Sequence, residues 1–336
     1  MKLNNSKTIN IEDKLLPAHQ YAASLFDLVT SRNVNKHKLL RGTRIFQEDF
    51  KSDKMLSPQQ LLQLTHNANA LTPGNDCSFQ LGRRLFPGNY GAVSNALMYS
   101  KDFGEALRLL SILRNQICPF LEGNAYSSID KQYLLIKDSF GDPTLLQFFI
   151  EVYCSALVST SKLLYERRIP FNFSFPFQRP KHIQEYEENL GYKLAFSQPI
   201  FSISFDRKWL HTKCTHRSDS LKWYSLKQAK MSSIPKLGFL EQVRKLLMKN
   251  RQLSLKQAAA VFSMSPATFK RKLSLHGKTF QQIQDELGKQ YATFLLQMQH
   301  LSNEESASLM QFNDIPNFRR AVKRWTGQTP SQLRLT

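Results

Sequence analysis

At 336 residues the chain is too long for one ordinary domain, and its 41% apolar content is ample for packed cores. No run of about 18 apolar residues occurs, so no membrane-spanning helix is expected. The net charge of +20 points to a polyanionic partner, and from Lys236 onward sixteen Lys and Arg stand against six Asp and Glu, half the excess in under a third of the chain.

The opening Met1-Lys-Leu-Asn-Asn-Ser-Lys-Thr8 lacks the apolar stretch of a secretory signal. From His19 to about Arg114 the pattern predicts a run of helices, among them Tyr21–Thr30, Pro58–Leu71 and 103–114. Turns fall at Leu71-Thr-Pro-Gly74 and Phe86-Pro-Gly-Asn89. Tyr133-Leu-Leu-Ile136 is a short strand candidate. Asp142-Pro143 then predicts the cap and first residue of a long apolar helix reaching about Arg167. Phe171-Asn-Phe-Ser-Phe-Pro-Phe177 alternates strictly and Ile200-Phe-Ser-Ile-Ser-Phe205 follows suit, the mark of half-buried strands. An aromatic stripe at that spacing is core far more often than a ligand site. Residues 15–211 thus predict an α+β domain, and the polar stretch 212–235, ending in Ser232-Ser-Ile-Pro235, reads as a linker.

Catalytic and metal chemistry find no support. Cys77, Cys118, Cys154 and Cys214 are scattered without a C-x-x-C, so neither a disulfide framework nor a zinc ribbon is expected, and the compartment reads as cytoplasmic. His211-Thr-Lys-Cys-Thr-His216 offers three metal-ligating side chains but no fourth, so no metal and no cofactor are expected. No nucleophile elbow, P-loop, dinucleotide fingerprint or H-E-x-x-H occurs, and nothing points to an enzyme.

From Lys236 to the end the pattern is all helix, with boundary signals at almost every start. Ser254-Leu-Lys-Gln257 and Ser302-Asn-Glu-Glu305 are capping boxes. Ser265-Pro266 and Thr329-Pro330 each set a cap before a first-turn proline, and Gly327 stands where a helix would end. These signals delimit two helix-turn-helix units, about 255–276 and 303–326, in an all-α domain over 236–336. On the second helix of the first unit, Phe269 and Leu273 form the inward stripe while Ala267, Lys270, Arg271 and Ser274 form the opposite one. The second unit repeats the scheme with Phe318, Val322 and Trp325 inside and Pro316, Arg319, Arg320 and Lys323 outside. One stripe anchors the helix and the other enters a DNA major groove. Between the units Phe280, Ile283, Leu287, Tyr291, Phe294, Met298 and Leu301 predict one continuous helix, roughly 30 Å long, against about 34 Å between successive groove entries. A lone basic helix is usually a solvated surface; two matched copies on such a spacer predict sequence-specific binding to double-stranded DNA. The competing reading is an architectural protein that coats DNA without sequence preference.

The stretch 236–334 resembles the AraC/XylS family of bacterial transcription regulators. Phe318, Trp325, Gly327, Pro330 and Arg334 fall on that family's signature, and Ser265-Pro-Ala-Thr-Phe-Lys-Arg-Lys-Leu273 resembles its first unit. The resemblance implies seven helices, specific DNA binding, and control of transcription, usually activation through RNA polymerase. Three departures stand out. Ser263 and Gln311 replace the turn glycines, each costing about 1 kcal/mol where φ must be positive. Gly288 replaces a common Arg early in the linker helix, which removes a charged contact and is expected to bend the helix. Ile315-Pro316 places the proline one residue later than usual.

Upstream, Leu81-Gly-Arg-Arg-Leu-Phe-Pro-Gly-Asn-Tyr-Gly-Ala-Val-Ser-Asn-Ala-Leu97, with Leu39-Leu-Arg-Gly-Thr43, resembles the arabinose-binding-like regulatory domain of one subgroup of that family. This implies a small-molecule effector, a homodimer, or both; the effector-binding residues are not identified. Arg83 and Arg84 offer a carboxylate site or an interdomain salt bridge, and Tyr90-Gly91 a tight turn or a close approach to ligand.

Overall fold

The computed structural model describes residues 10–86, 88, 90–117, 119–140, 142–231 and 238–335. The first nine residues, Cys118, part of the turn at 86–89, the 232–235 end of the expected linker and the domain start at 236 lie outside them.

Six helices come first: α1 (Tyr21–Thr30), α2 (Lys36–Leu40), α3 (Pro58–Leu71), α4 (Cys77–Leu85), α5 (Ala92–Met98) and α6 (Phe103–Ile117). A small antiparallel ribbon of β1 (Leu16–Pro17) and β2 (Met55–Leu56) lies among them. Then follow β3 (Leu121–Ser127), β4 (Lys131–Asp138), α7 (Leu146–Tyr165), β5 (Asn172–Ser174), α8 (Ile183–Leu190), β6 (Leu194–Ala195) and β7 (Ser202–Asp206). The larger sheet has the order β3-β4-β7-β5-β6, antiparallel except where β5 meets β6. α9 (Asp219–Met231) closes this part of the chain.

Helix starts follow their caps. Ser57 accepts from the Gln60 N–H while Gln60 returns to the Ser57 N–H, with Pro58 at the first position. The expected start at Asp142-Pro143 is not used. Asp142 spends its carboxylate on the Thr144 N–H and hydroxyl and on His66 at 3.0 Å, so α7 begins at Leu146 with no side-chain cap. The Phe171–177 stripe is core as expected, with Phe171, Phe173 and Phe175 buried, but only three of its residues form a strand. Pro176 has no N–H to extend the ladder.

The expected linker is largely a helix. α9 fills most of 212–235 and packs on α5, burying Ser225 and Ala229. Lys222 reaches Glu105 of α6 at 3.0 Å. Its apolar stripe is narrow, and Leu221, Trp223 and Tyr224 stay exposed, which is why the segment reads as a polar linker.

The rest is helical: α10 (Phe239–Lys249), α11 (Leu255–Val261), α12 (Pro266–Leu275), α13 (Phe280–Thr293), α14 (Asn303–Leu309), α15 (Ile315–Thr326) and α16 (Pro330–Leu335). The predicted linker helix is shorter than expected. After Thr293 it widens into a π-turn, Phe294–Met298, in which the Gln299 N–H bonds the Phe294 carbonyl at 3.0 Å. His300 at φ +54° then turns the chain away, leaving Leu301 beyond the helix.

The sheet lies between the two halves of the molecule. Gln132, Leu134 and Ile136 of β4 point to α6 and α7, whereas Tyr133 and Leu135 point to the helical region. Leu135 and Ile200 share a core with Phe294, Leu295, Phe318 and Val322, and the Tyr126 and Phe294 rings lie 4.6 Å apart.

Candidate nucleic-acid interface

Two cores hold the two units. Phe239, Val243, Ala258, Phe269, Leu273, Ile283 and Leu287 make the first, around the amino-terminal half of α13. Leu295, Leu296, Ala307, Met310, Phe318, Val322 and Leu333 make the second, around the π-turn. The local chemistry sets each angle. Ser265 caps α12 through the Thr268 N–H at 3.1 Å, and Asp314 caps α15 through the Asn317 N–H at 2.6 Å. Arg334 closes the second unit by donating to the Leu301 carbonyl and to Asn303 Oδ1 at 2.9 Å.

Ser263 and Gln311 both sit at positive φ, +55° and +60°, in the turns before α12 and α15. The departures from glycine therefore keep the left-handed backbone and bear its strain. Ser263→Gly and Gln311→Gly should each stabilise the protein by about 0.5–1 kcal/mol. Urea midpoints at unchanged m-value would measure this, and a fall in either midpoint would place the strain elsewhere.

The outward stripes are open. Ala267, Lys270, Arg271 and Ser274 on α12, and Pro316, Arg319, Arg320 and Lys323 on α15, are all exposed. Lys270, Arg271, Arg319 and Lys323 have no ion-pair partner among the described residues, so their charges face solvent unspent. Arg320 donates to Asn317 Oδ1, which holds its guanidinium along the helix. Lys272, off the stripe, lies over the Phe239 ring at 4.7 Å and serves packing.

Phe269, Leu273, Phe318 and Val322 are fully buried, but Trp325 is only half-buried. Its indole crosses α13 at Gly288, where a Cβ would lie 2.6 Å from Cζ2. Asp285 Oδ1 accepts from Trp325 Nε1 at 2.8 Å and from Arg324 at 3.0 Å. Gly288 is thus a seat for the indole, and the helix runs on through it.

Sequence reading missed the junction between the halves. Arg244 of α10 is 2% exposed and lies 3.3 Å from Glu122 of β3 and 3.1 Å from Glu286 of α13. It also donates to the Asp138 carbonyl at 2.8 Å. Lys137 adds a second cation to Glu122 at 3.1 Å, and Arg114 of α6 pairs with Glu241 of α10. Burial pushes the Glu122 carboxyl up, but Arg244 and Lys137 outweigh it and hold the group below its ordinary range. The sequence did carry a signal: Arg244 sits in the apolar stripe of α10, four residues after Leu240.

The remaining candidates fall apart in space. Arg83 bonds Asn189 at 2.6 Å within its own domain, so it makes no interdomain bridge. Tyr90 lines a cavity and Gly91, at φ +51°, precedes α5. His211 lies at that cavity, Cys214 is in the core, and His216 is beside Glu166. Among the described residues no three His, Cys, Asp or Glu are grouped to hold a metal, and no helix is long and apolar enough to cross a membrane.

Comparison with known proteins agrees with this architecture. The family model for the arabinose-binding domain of AraC transcription regulators matches residues 34–214, more than half of the chain, and a helix-turn-helix domain model matches 258–336. The chain is similar to the ornithine utilization regulator of Pseudomonas aeruginosa, 28% identical over 97% of this chain and 98% of that protein. It is also similar to the transcriptional regulator VqsM of the same organism, 31% identical over 24% of this chain and 25% of that one. Among solved structures, the transcriptional regulator CdpR from Pseudomonas aeruginosa aligns over 94% of this chain and 98% of that one at 18% identity, with a TM-score of 0.45. The chain belongs to the AraC/XylS family, whose members are helix-turn-helix DNA-binding transcription regulators rather than enzymes.

Proposed function

We propose that each molecule reads two adjacent major-groove segments of a promoter, with α12 in one and α15 in the next, and activates transcription in the cytoplasm through RNA polymerase. Residues 236–336 are the DNA-binding domain on this reading, and residues 15–211, joined by α9, set when it binds. The carrying observation is that Lys270, Arg271, Arg319 and Lys323, on the exposed faces of α12 and α15, have no ion-pair partner among the described residues. The spacer supports it: the 14 α-helical residues reach about 21 Å and the 5-residue π-turn carries the helix further toward the groove repeat of about 34 Å. A homodimer would double the site. The name of the ornithine utilization regulator makes ornithine one probe for an effector.

Selection of bound genomic fragments by the full chain would test the reading. At fixed salt, the selected operator should win over random DNA by about 10³-fold or more. Arg271→Ala should cost about 1–3 kcal/mol and relax preference at one base position. Changing Arg319, Arg320 and Lys323 to Ala should shorten the footprint at one end only. Equal binding to every sequence would instead make this an architectural protein.

A further inference from the structure

The amino-terminal domain holds a cavity of about 580 Å³ between α6, α7 and the inner face of β3 and β4. That volume lies within the range of small-molecule sites. Its walls are mostly apolar, with Leu107 and Leu110 of α6, Leu134 and Ile136 of β4, and Val152 and Leu157 of α7.

The charges at the cavity do not balance. Asp102 is engaged by Lys101 and by the Glu105 N–H, and Glu122 by Lys137 and Arg244. Arg108 has no ion-pair partner among the described residues. Arg114 gives one terminal nitrogen to Glu241, while its Nε is buried without a hydrogen-bond partner. Arg108 stands exposed at the cavity's edge, and Arg114 lines its wall with one nitrogen still unpartnered. Ornithine would bring two ammonium groups to a cavity whose Asp102 and Glu122 are already engaged by cations.

Arg114 also touches the other half of the molecule. It lines the cavity at the end of α6 and pairs across the junction with Glu241, on the helix that carries Arg244. We propose that the cavity binds a carboxylate with an apolar body, its head group taken by Arg108 and Arg114, and that its arrival draws Arg114 off Glu241 and loosens α10 from the amino-terminal domain. The binding step stands alone; the coupling step rests on the DNA-binding reading above.

Calorimetry on the full chain, without DNA, tests the first step with decanoate and 4-phenylbutyrate as aliphatic and aromatic probes. At least one should bind saturably, one per chain, and decanol should bind at least tenfold more weakly than decanoate. Ala156→Phe on α7 and Leu110→Trp on α6, which add bulk to the cavity lining, should each abolish uptake while circular dichroism stays native. Absence of saturable carboxylate binding, equal binding of decanol, or uptake surviving in both folded variants would overturn the site.

Operator affinity with and without the bound probe tests the second step, where coupling of this kind amounts to about 5–150-fold. Glu241→Gln, which weakens the pair outside the cavity, should still take up the probe while its operator affinity no longer responds. A response of wild-type size in that variant would overturn the coupling. Failure to find any preferred operator would count against the DNA-binding reading and leave the calorimetry standing.

Discussion

Arg244→Ala should destabilise the folded chain by about 3–5 kcal/mol, because it strips the buried Glu122 and the partly buried Glu286 of the cation between them. Glu122 is 6% exposed, and its Oε2 already lacks a hydrogen-bond partner. Losing Arg244 leaves it with Lys137 alone and exposes Glu286 to the pull of Lys278 only. The Asp138 carbonyl loses its donor as well. Neutralising the whole cluster is a different experiment. Arg244→Met with Glu122→Gln and Glu286→Gln should recover most of the loss, since a buried ion group and a neutral replacement are often near equal. Urea unfolding of both variants would decide. A loss under 1 kcal/mol for Arg244→Ala would mean that water fills the junction in solution.

The same cluster sets a pH signature. Burial raises the Glu122 and Glu286 carboxyls, but the cations beside them outweigh it, so both are held below the ordinary Glu value. A depressed carboxylate contributes stability that is present above its unfolded value, about 4.3, and is lost as pH falls through the folded one. The difference between wild type and Arg244→Ala should therefore shrink on acidification below that value.

How much of this was legible in the sequence differs between the halves. Caps are local chemistry, so Ser254, Ser265, Ser302 and Gly327 marked the ends of the carboxy-terminal helices correctly. Periodicity separated Phe269 and Leu273 from Lys270 and Arg271 because a helix packed on one side buries one stripe and exposes the opposite one. Asp142-Pro143 failed for an equally physical reason: the carboxylate had a better partner in His66, which is distant in sequence. α9 escaped notice because, among its residues with described burial, only Ser225 and Ala229 are buried, too few for a periodic signal.

The junction and the cavity were beyond reach for another reason. They depend on which faces of β3 and β4 look where, and that is fixed by long-range packing. A trace was present in the unbroken Leu134-Leu-Ile136 run, since a strand buried on both faces loses its alternation. Read that way, the run says that something covers the second face of the sheet, and the structure shows it to be the helices around Phe294. The partner of Gly288 was likewise illegible, because no spacing in the sequence brings it to a tryptophan 37 residues later.

That contact gives a prediction of unusual sign. In an exposed helix interior, Gly→Ala stabilises by about 1 kcal/mol. At Gly288 the added Cβ would meet Trp325 Cζ2 at 2.6 Å and Cη2 at 2.7 Å, well inside contact distance. The indole has little room to yield, because its Nε1 is held by Asp285 and it packs against Phe312. Gly288→Ala should therefore destabilise the protein by about 1–3 kcal/mol, the usual range for overpacking. Trp325→Ala should cost about 3 kcal/mol, the low end for a large aromatic since the ring is half-buried. In that background the steric obstacle is gone, and Gly288→Ala should revert to stabilising the helix. Urea unfolding of the two single variants and the double variant closes the cycle, with the coupling read directly from the change of sign. Footprints should follow the same order, the protection given by α15 weakening in each single variant. If Gly288→Ala stabilises the otherwise wild-type chain, the indole does not rest on α13, and the second unit is oriented by its buried Phe318 and Val322 alone.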